Sequence, residues 1–436
     1  MRRIVLLWLL VLVTVAVGST FAAAAVKNVI LFVGDGMGMA SIDLARTVLV
    51  GSDGYLDFER AEYAGIQKTH SADSLVTDSA AAATALATGF KTNNAWLSIT
   101  PDGRSVKTLV EAAREAGKAT GLVTTVTITH ATPAAFGAHT TSRDELPVAD
   151  QYAALKTADV YMGGGLAFFV PRSAPGSKRS DERDLVREFQ EAGYSYVSSR
   201  AELLSASAPT GKLLGLFAEG HLPYYIDRPF LGVDVPTLAE MTQKALDILS
   251  RDPEGFFLMV EAGKPDWANH GHDAMTATME IYELNEAVNA ALDFLEVDPS
   301  TLIVVTADHE TGGVGLSVGK YFIKPEVLKR QRVSAEVLAG LVKGKGDQEV
   351  AQVMAEFAGL SDLTPEELAR VKTASARAIA EVIAQRAQIG WTTTSHTGES
   401  VPVYAFGRAS YLFAGVYDNT DVARRIASAA GLELSR

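Results

Sequence analysis

Residues 28–38 read NVILFVGDGMG. The apolar run to Gly34 is short, continuous and closed by a glycine-rich turn, which is how a strand buried on both faces reads. Three more runs share that character: ATGLVTT (119–125), FFLMVEA (256–262) and TLIVVTAD (301–308). Helical patterns lie between them, such as Ile281, Leu284, Val288, Leu292 and Leu295 at spacings of three and four. Alternation of buried strands with helices predicts an α/β fold, a doubly wound and mostly parallel central sheet with helices on both faces.

In such sheets functional groups gather just beyond the carboxyl ends of the strands. The first run ends at Asp35, the third delivers Glu261 and then Asp266, and the fourth ends in Asp308-His309. Acidic and imidazole groups converging on one sheet edge are costly unless cations compensate them.

Residues 320–390 break the alternation. They are charged and helix-rich, with a Thr364-Pro365-Glu366-Glu367 capping box, Gly344 and Gly346 marking a loop, and no strand run. This segment reads as an inserted helical cap. The core then comprises residues 26–319 and 391–436, with VPVYAFG (401–407) resuming the alternation.

The chain has 436 residues, 47% hydrophobic and 21% charged, enough for one large domain or two smaller ones. Arg2 and Arg3 precede an apolar run from Ile4 to Gly18 and small residues at 21–25. Residues 1–25 therefore read as a secretory signal, and the run is shorter than the roughly 20 residues of a spanning helix. The expectation is a periplasmic or secreted protein with no stable membrane insertion after cleavage. There is no cysteine, which excludes a thiol nucleophile and leaves the core or metals to hold the fold. A net charge of −13 argues against a nucleic-acid groove.

The segment VEAGKPDWANHGHD (260–273) carries Glu261, Asp266, His270 and His272, and on a helical turn Asp266 and His270 point the same way. TADHE supplies Asp308 and His309, and TSHTGE sets His396 among small polar residues. Each alone reads equally as a satisfied loop residue; together they form the carboxylate and imidazole sets that zinc prefers. In LVTDSAAAATALATG (75–89), Asp78-Ser79 opens an alanine helix. Its N-terminus favours an anion. No G-x-S-x-G elbow surrounds Ser79, so it is either a helix cap or a nucleophile activated by metal.

VILFVGDGMG, VTDSAAAATALATG, THATPAAFGAHTTSR, FLMVEAGKPDWANH, VTADHETGG and SHTGE resemble, in this order, the motif series of alkaline phosphatases. The resemblance spans about residues 27–319 and 391–420. It implies that Ser79 is the nucleophile that becomes phosphorylated and that Arg143 grips the phosphate. It implies that Asp266, His270 and His396 hold one zinc, and Asp35, Asp308 and His309 a second. Asp35, Thr132 and Glu261 match the third site, usually magnesium, with Asp35 bridging two ions. Two positions depart from part of the family: His130 stands where some members have Asp, and Trp267 where others have Lys or His. Both are expected just behind the ligands, leaving the third ion's identity open. His139 and His272 are expected to be structural.

General acid–base catalysis supplies only about 10²–10⁴ of rate, whereas enzymes accelerate monoester hydrolysis by up to about 10²¹. Two ions roughly 4 Å apart can clamp the attacking and leaving oxygens. The expected activity is hydrolysis of small-molecule phosphate monoesters through phosphoserine, by a homodimer. A phosphodiesterase of the same superfamily is the second enzyme reading, and a non-catalytic metal- or phosphate-binding protein the third. The residues Arg143, Thr132 and Glu261, and the intact ligand set, favour the first.

Overall fold

The computed structural model describes residues 26–319 and 321–435. The signal expected at residues 1–25 lies outside the described residues. In chain order the strands are β1 (Asn28–Gly34), β2 (Tyr63–Lys68), β3 (Ala119–Thr127), β4 (Val160–Gly164), β5 (Ser195–Val197), β6 (Leu213–Leu216) and β7 (Phe256–Ala262). There follow β8 (Thr301–Ala307), β9 (Glu310–Thr311), β10 (Val314–Leu316), β11 (Ile389–Trp391), β12 (His396–Thr397), β13 (Val401–Gly407) and β14 (Gly415–Asp418).

Ten of these pair in the order β14-β2-β13-β8-β1-β7-β3-β4-β6-β5. All run the same way except β13, which is antiparallel to both β8 and β2. The sheet is therefore the mostly parallel, doubly covered one that the apolar runs imply. Side chains alternate between its faces: Leu31 and Val33 of β1 enter one apolar core, and Ile30 and Phe32 the other. Because β8, β1, β7 and β3 are parallel neighbours, their carboxyl ends share one edge. That edge carries the candidate site.

The alanine helix, Ser79–Thr88, is buried along its whole length. Its small side chains let it pack closely against the Ala131–Gly137 and Asn419–Ala430 helices. Asp78 caps its first turn by accepting from Ala81 N at 3.0 Å, and Gly89 closes it in a left-handed conformation.

Helices fill most of residues 325–387, and the Thr364 capping box forms. One expectation fails here: a strand does occur before residue 391, because β11 starts at Ile389 and pairs with β10. The reason is that a three-residue strand is too short to show a period. The insertion also does not stand apart. Its apolar core includes Leu44, Val48, Ala268 and Ala274 beside Leu338, Met354 and Ile383, so it is welded to the helix that carries Asp266 and His270. No helix among the described residues is long and apolar enough to cross a membrane.

Candidate active site

The tip of β1 sets the geometry. Gly36 has φ +68°, and a Cβ there would lie 2.6 Å from Asp266 Cα, so only glycine lets the two segments approach. Gly36 N donates to Asp308 Oδ1 at 3.1 Å, and Asn269 Nδ2 donates to Gly36 O at 3.1 Å. These bonds tie the ends of β1 and β8 to the Lys264–His270 helix.

Three clusters result, each with one ligand-type atom per residue and those atoms within 4.8 Å of one another. They are Asp266, His270 and His396; Asp35, Asp308 and His309; and Asp35, His130 and Glu261. In the first, His270 Nε2 lies 3.3 Å and His396 Nε2 3.4 Å from Asp266, and the two Nε2 atoms are 3.2 Å apart. His270 Nδ1 bonds Thr394 O at 2.6 Å and His396 Nδ1 bonds Thr77 O at 2.9 Å. A carbonyl only accepts, so each Nδ1 carries a proton, and in the neutral ring each Nε2 would present its lone pair to the other and to Asp266. In the second cluster Thr311 Oγ1 donates to Asp266 at 2.6 Å and sits 3.2 Å from His309 Nδ1. The hydroxyl's proton is thus committed and Nδ1 must donate to it. His309 Nε2 therefore also faces its carboxylates bare, 3.3 Å from Asp35 and 3.2 Å from Asp308.

Among the buried side-chain atoms without a hydrogen-bond partner are both Asp35 oxygens, Asp308 Oδ2, Glu261 Oε1, Thr132 Oγ1 and His130 Nδ1. Orphaned buried polar atoms are costly singly; gathered at one edge, with carboxylate oxygen and bare imidazole nitrogen as donors, they match what a divalent cation needs.

The electrostatics say the same. Burial, then the charges of Asp308, Asp266 and Glu261, push the Asp35 carboxyl well above the usual carboxylate range. Burial lifts Asp308 to about 7, with Asp266 adding to it, and lifts Glu261 to about 8 against a 2.5 Å bond from Thr124. Asp266 moves the other way: burial opposes ionisation, but His270 and His396 hold it well below the usual range. Those two imidazoles are raised, because Asp266 outweighs the burial that would lower them. A proton or a metal ion must sit between each Nε2 and Asp266, and the two compete for the same lone pairs. His309 is driven well below the usual imidazole range by burial and by His396.

Ser79 Oγ lies 3.2 Å from His309 Nε2 at the first turn of its helix, 2% exposed. Arg143 Nη1 donates to Asp78 Oδ2 at 3.2 Å, the residue beside Ser79, and its Nη2 stands 3.4 Å from His130 Nε2. Arg143 is over a third exposed, so part of its fork remains open to an anion.

His130 and Trp267, expected behind the ligands, differ in where they fall. His130 brings a ring nitrogen into the Asp35–Glu261 cluster itself, and burial, with Arg143, pushes it down to about 3. Trp267 packs edge-on to His221 at 4.3 Å between ring centroids, with His130 at 6.3 Å. Lys264, three residues before Trp267, is turned away, donating to Leu222 O at 2.7 Å over the Tyr224 ring. His221 escaped the sequence reading. It accepts from Thr127 N at 3.0 Å, and its only sequence signal is its place five residues beyond β6. His139 and His272 lie outside the three clusters: His139 bonds Glu111 at 2.9 Å, and His272 bonds Thr393 O at 2.9 Å.

The alkaline phosphatase family profile matches residues 26–432. Alkaline phosphatase 3 of Bacillus subtilis is 39% identical over 426 residues, spanning 92% of this chain and 88% of that protein. The crystal structure of Thermus thermophilus alkaline phosphatase superposes with a TM-score of 0.85 at 35% identity, covering 94% of this chain and 92% of that one. The cold-active alkaline phosphatase of Shewanella sp. superposes at 0.83 and 35% identity, covering 92% of this chain and 99% of that one.

Proposed function

The chain belongs to the alkaline phosphatase family and is a metal-binding phosphatase of small-molecule phosphate monoesters; from that premise we propose that it works through a phosphoserine at Ser79, with two zinc ions and one magnesium ion. The observation that carries the proposal is the convergence of three imidazole Nε2 atoms and four buried carboxylates beside one serine hydroxyl.

Asp266, His270 and His396 would hold one zinc, and Asp35, Asp308 and His309 the other. Asp35, Glu261 and Thr132 would hold the third ion, with His130 within reach of it. Bound there, such ions supply Lewis acidity toward phosphoryl oxygens and lower the pKa of coordinated hydroxyl groups and water. The chain's own part is positional. The cap at Asp78 fixes Ser79 at a helix N-terminus, where free N–H groups favour a phosphoryl oxygen. Asp78 holds the Arg143 guanidinium over the same spot, leaving its remaining N–H groups to bind the phosphate in a two-pronged fashion. The 3.2 Å approach of Ser79 Oγ to His309 Nε2 sets the hydroxyl beside the Asp35–Asp308–His309 cluster.

The basic and then apolar pattern of residues 2–18 supports export to the periplasm or medium. A homodimer is supported by an exposed apolar face around Met39, Ile66 and Val416, beside Pro402 and Tyr404 at one end of the sheet. Sedimentation of the mature protein tests the dimer.

Steady-state rates on a chromogenic monoester and on its diester, with elemental analysis of the same protein, test the main reading. The expected result is strong monoester preference with two zinc and one magnesium per chain. A protein that prefers the diester, or turns over at the same rate after metal removal, contradicts it.

A further inference from the structure

One chain of contacts leads from the helical insertion to the loop that carries His396. We propose that Glu381, His272 and Trp391 are positioning residues of that loop, so that the insertion sets the zinc affinity of the Asp266–His270–His396 cluster. The proposal rests on the metal reading above and adds what governs it.

His272 Nε2 lies 2.9 Å from Thr393 O, and its Nδ1 lies 3.2 Å from Glu381 Oε1 on the insertion's Ala376–Ala387 helix. The second Glu381 oxygen accepts from Arg370 at 2.8 Å, which holds the carboxylate in place. His272 has φ +59°, a left-handed backbone that a non-glycine side chain keeps only where surrounding contacts require it. Its ring lies parallel to Trp391, 4° between planes and 4.9 Å between centroids. Trp391 in turn rests on Gly312, where a Cβ would meet the indole at 2.7 Å. Gly312 is three residues beyond His309 and bonds Ser395 O through its own N–H at 3.0 Å.

These contacts act on one short backbone stretch. Thr393 O is gripped by His272, Thr394 O accepts the His270 Nδ1 proton at 2.6 Å, and Ser395 precedes His396. The Thr394 carbonyl is what turns His270 Nε2 toward Asp266. If the loop slides, that tautomer and its aim are lost, and His396 moves with the same segment. Groups behind metal ligands commonly govern affinity by about 10–100-fold when removed. A packing role alone predicts a lower melting temperature with metal affinity unchanged.

The test measures zinc affinity of the full-length mature protein by competition with a chromogenic chelator, beside the melting temperature of the metal-free form. His272→Phe and Glu381→Ala are each expected to weaken one zinc site about 10–100-fold. Glu381→Gln, which keeps an oxygen facing the ring, is expected to stay within a few-fold of the unmodified protein. Glu367→Ala serves as the control, since it breaks the insertion's ion pair with Arg386 without touching the loop, and zinc affinity is expected to hold. If Glu381→Ala, a partly exposed site that tolerates truncation, leaves affinity within two-fold, the inference is overturned, whether or not His272→Phe folds. It is equally overturned if Glu367→Ala weakens zinc as much as Glu381→Ala does. An unmodified protein that binds no zinc overturns the metal reading itself, which separates the two failures.

Discussion

Stripping the metals should cost this protein much of its stability, and increasingly so as pH rises. A ligand that binds only the native state stabilises it by about 2.7 kcal/mol at a concentration 100 times its Kd. Three such sites contribute roughly 8 kcal/mol, and at about 2 °C or less per kcal/mol for a chain this long the melting temperature falls by about 10–15 °C. The pH dependence follows from the carboxyls. Without ions, Asp35, Asp308 and Glu261 hold protons in the fold to well above their ordinary values, about 7 for Asp308 and about 8 for Glu261. The metal-free native state then binds more protons than the unfolded chain, so its stability declines between roughly pH 4.5 and 8. Protons also compete with metal at His270 and His396 when pH is low, so both effects widen the gap upward. The assay is thermal melting by circular dichroism of metal-loaded and chelator-dialysed protein at pH 5.5 and 8.5. Equal melting temperatures at pH 8.5, or a larger gap at pH 5.5, refute the reasoning.

Arg143→Ala should raise the inhibition constant for inorganic phosphate by roughly one to two decades, since a charge-assisted paired contact is worth about 1.5–3 kcal/mol; an unchanged constant places Arg143 outside the phosphate site. Trp267→Lys should tighten phosphate inhibition by adding an ammonium beside a dianion, and unchanged inhibition with a lowered melting temperature reduces Trp267 to a packing partner of His221. His139→Gln should destabilise most between about pH 4.5 and 6.5. Burial opposes both charges, yet the Glu111 bond holds His139 above its ordinary 6.5 and the same bond holds Glu111 below its ordinary 4.5. The imidazole's contribution is therefore complete below 6.5 and lost as pH rises through its raised value, whereas the carboxylate's is lost as pH falls below 4.5. A melting difference from the unmodified protein that grows toward pH 9 contradicts this.

The parts of the site that were legible in the sequence are those at the tips of long, fully buried parallel strands. Asp35 and Asp308 directly follow β1 and β8, and Glu261 is the last residue but one of β7; apolar runs of this length can be recognised without knowing their neighbours. Asp266 and His270 were legible as one helical turn, and Ser79 as the start of a helix. Elements that are short or half wet were not. β2 alternates burial along YAGIQK, and β5 and β11 span three residues each, so no period emerges. His221 belongs to no motif and becomes a neighbour of Trp267 only because β6 pairs beside β4. His130 was expected just behind the ligands and instead brings a ring nitrogen among them, because sequence does not reveal how closely the Ala131–Gly137 helix approaches the sheet edge. The grip of Glu381 on His272 joins residues 109 apart across two layers, and nothing local announces it.

The central claim is a phosphoryl group carried on Ser79, and the direct measurement is rapid acid quenching during turnover of a radiolabelled monoester, followed by mapping of the label. The account predicts phosphate on Ser79 alone. It also predicts that Ser79→Ala keeps its metals and melting temperature while losing nearly all turnover. A Ser79→Ala protein that retains the unmodified rate, or a label found on any other residue, contradicts it.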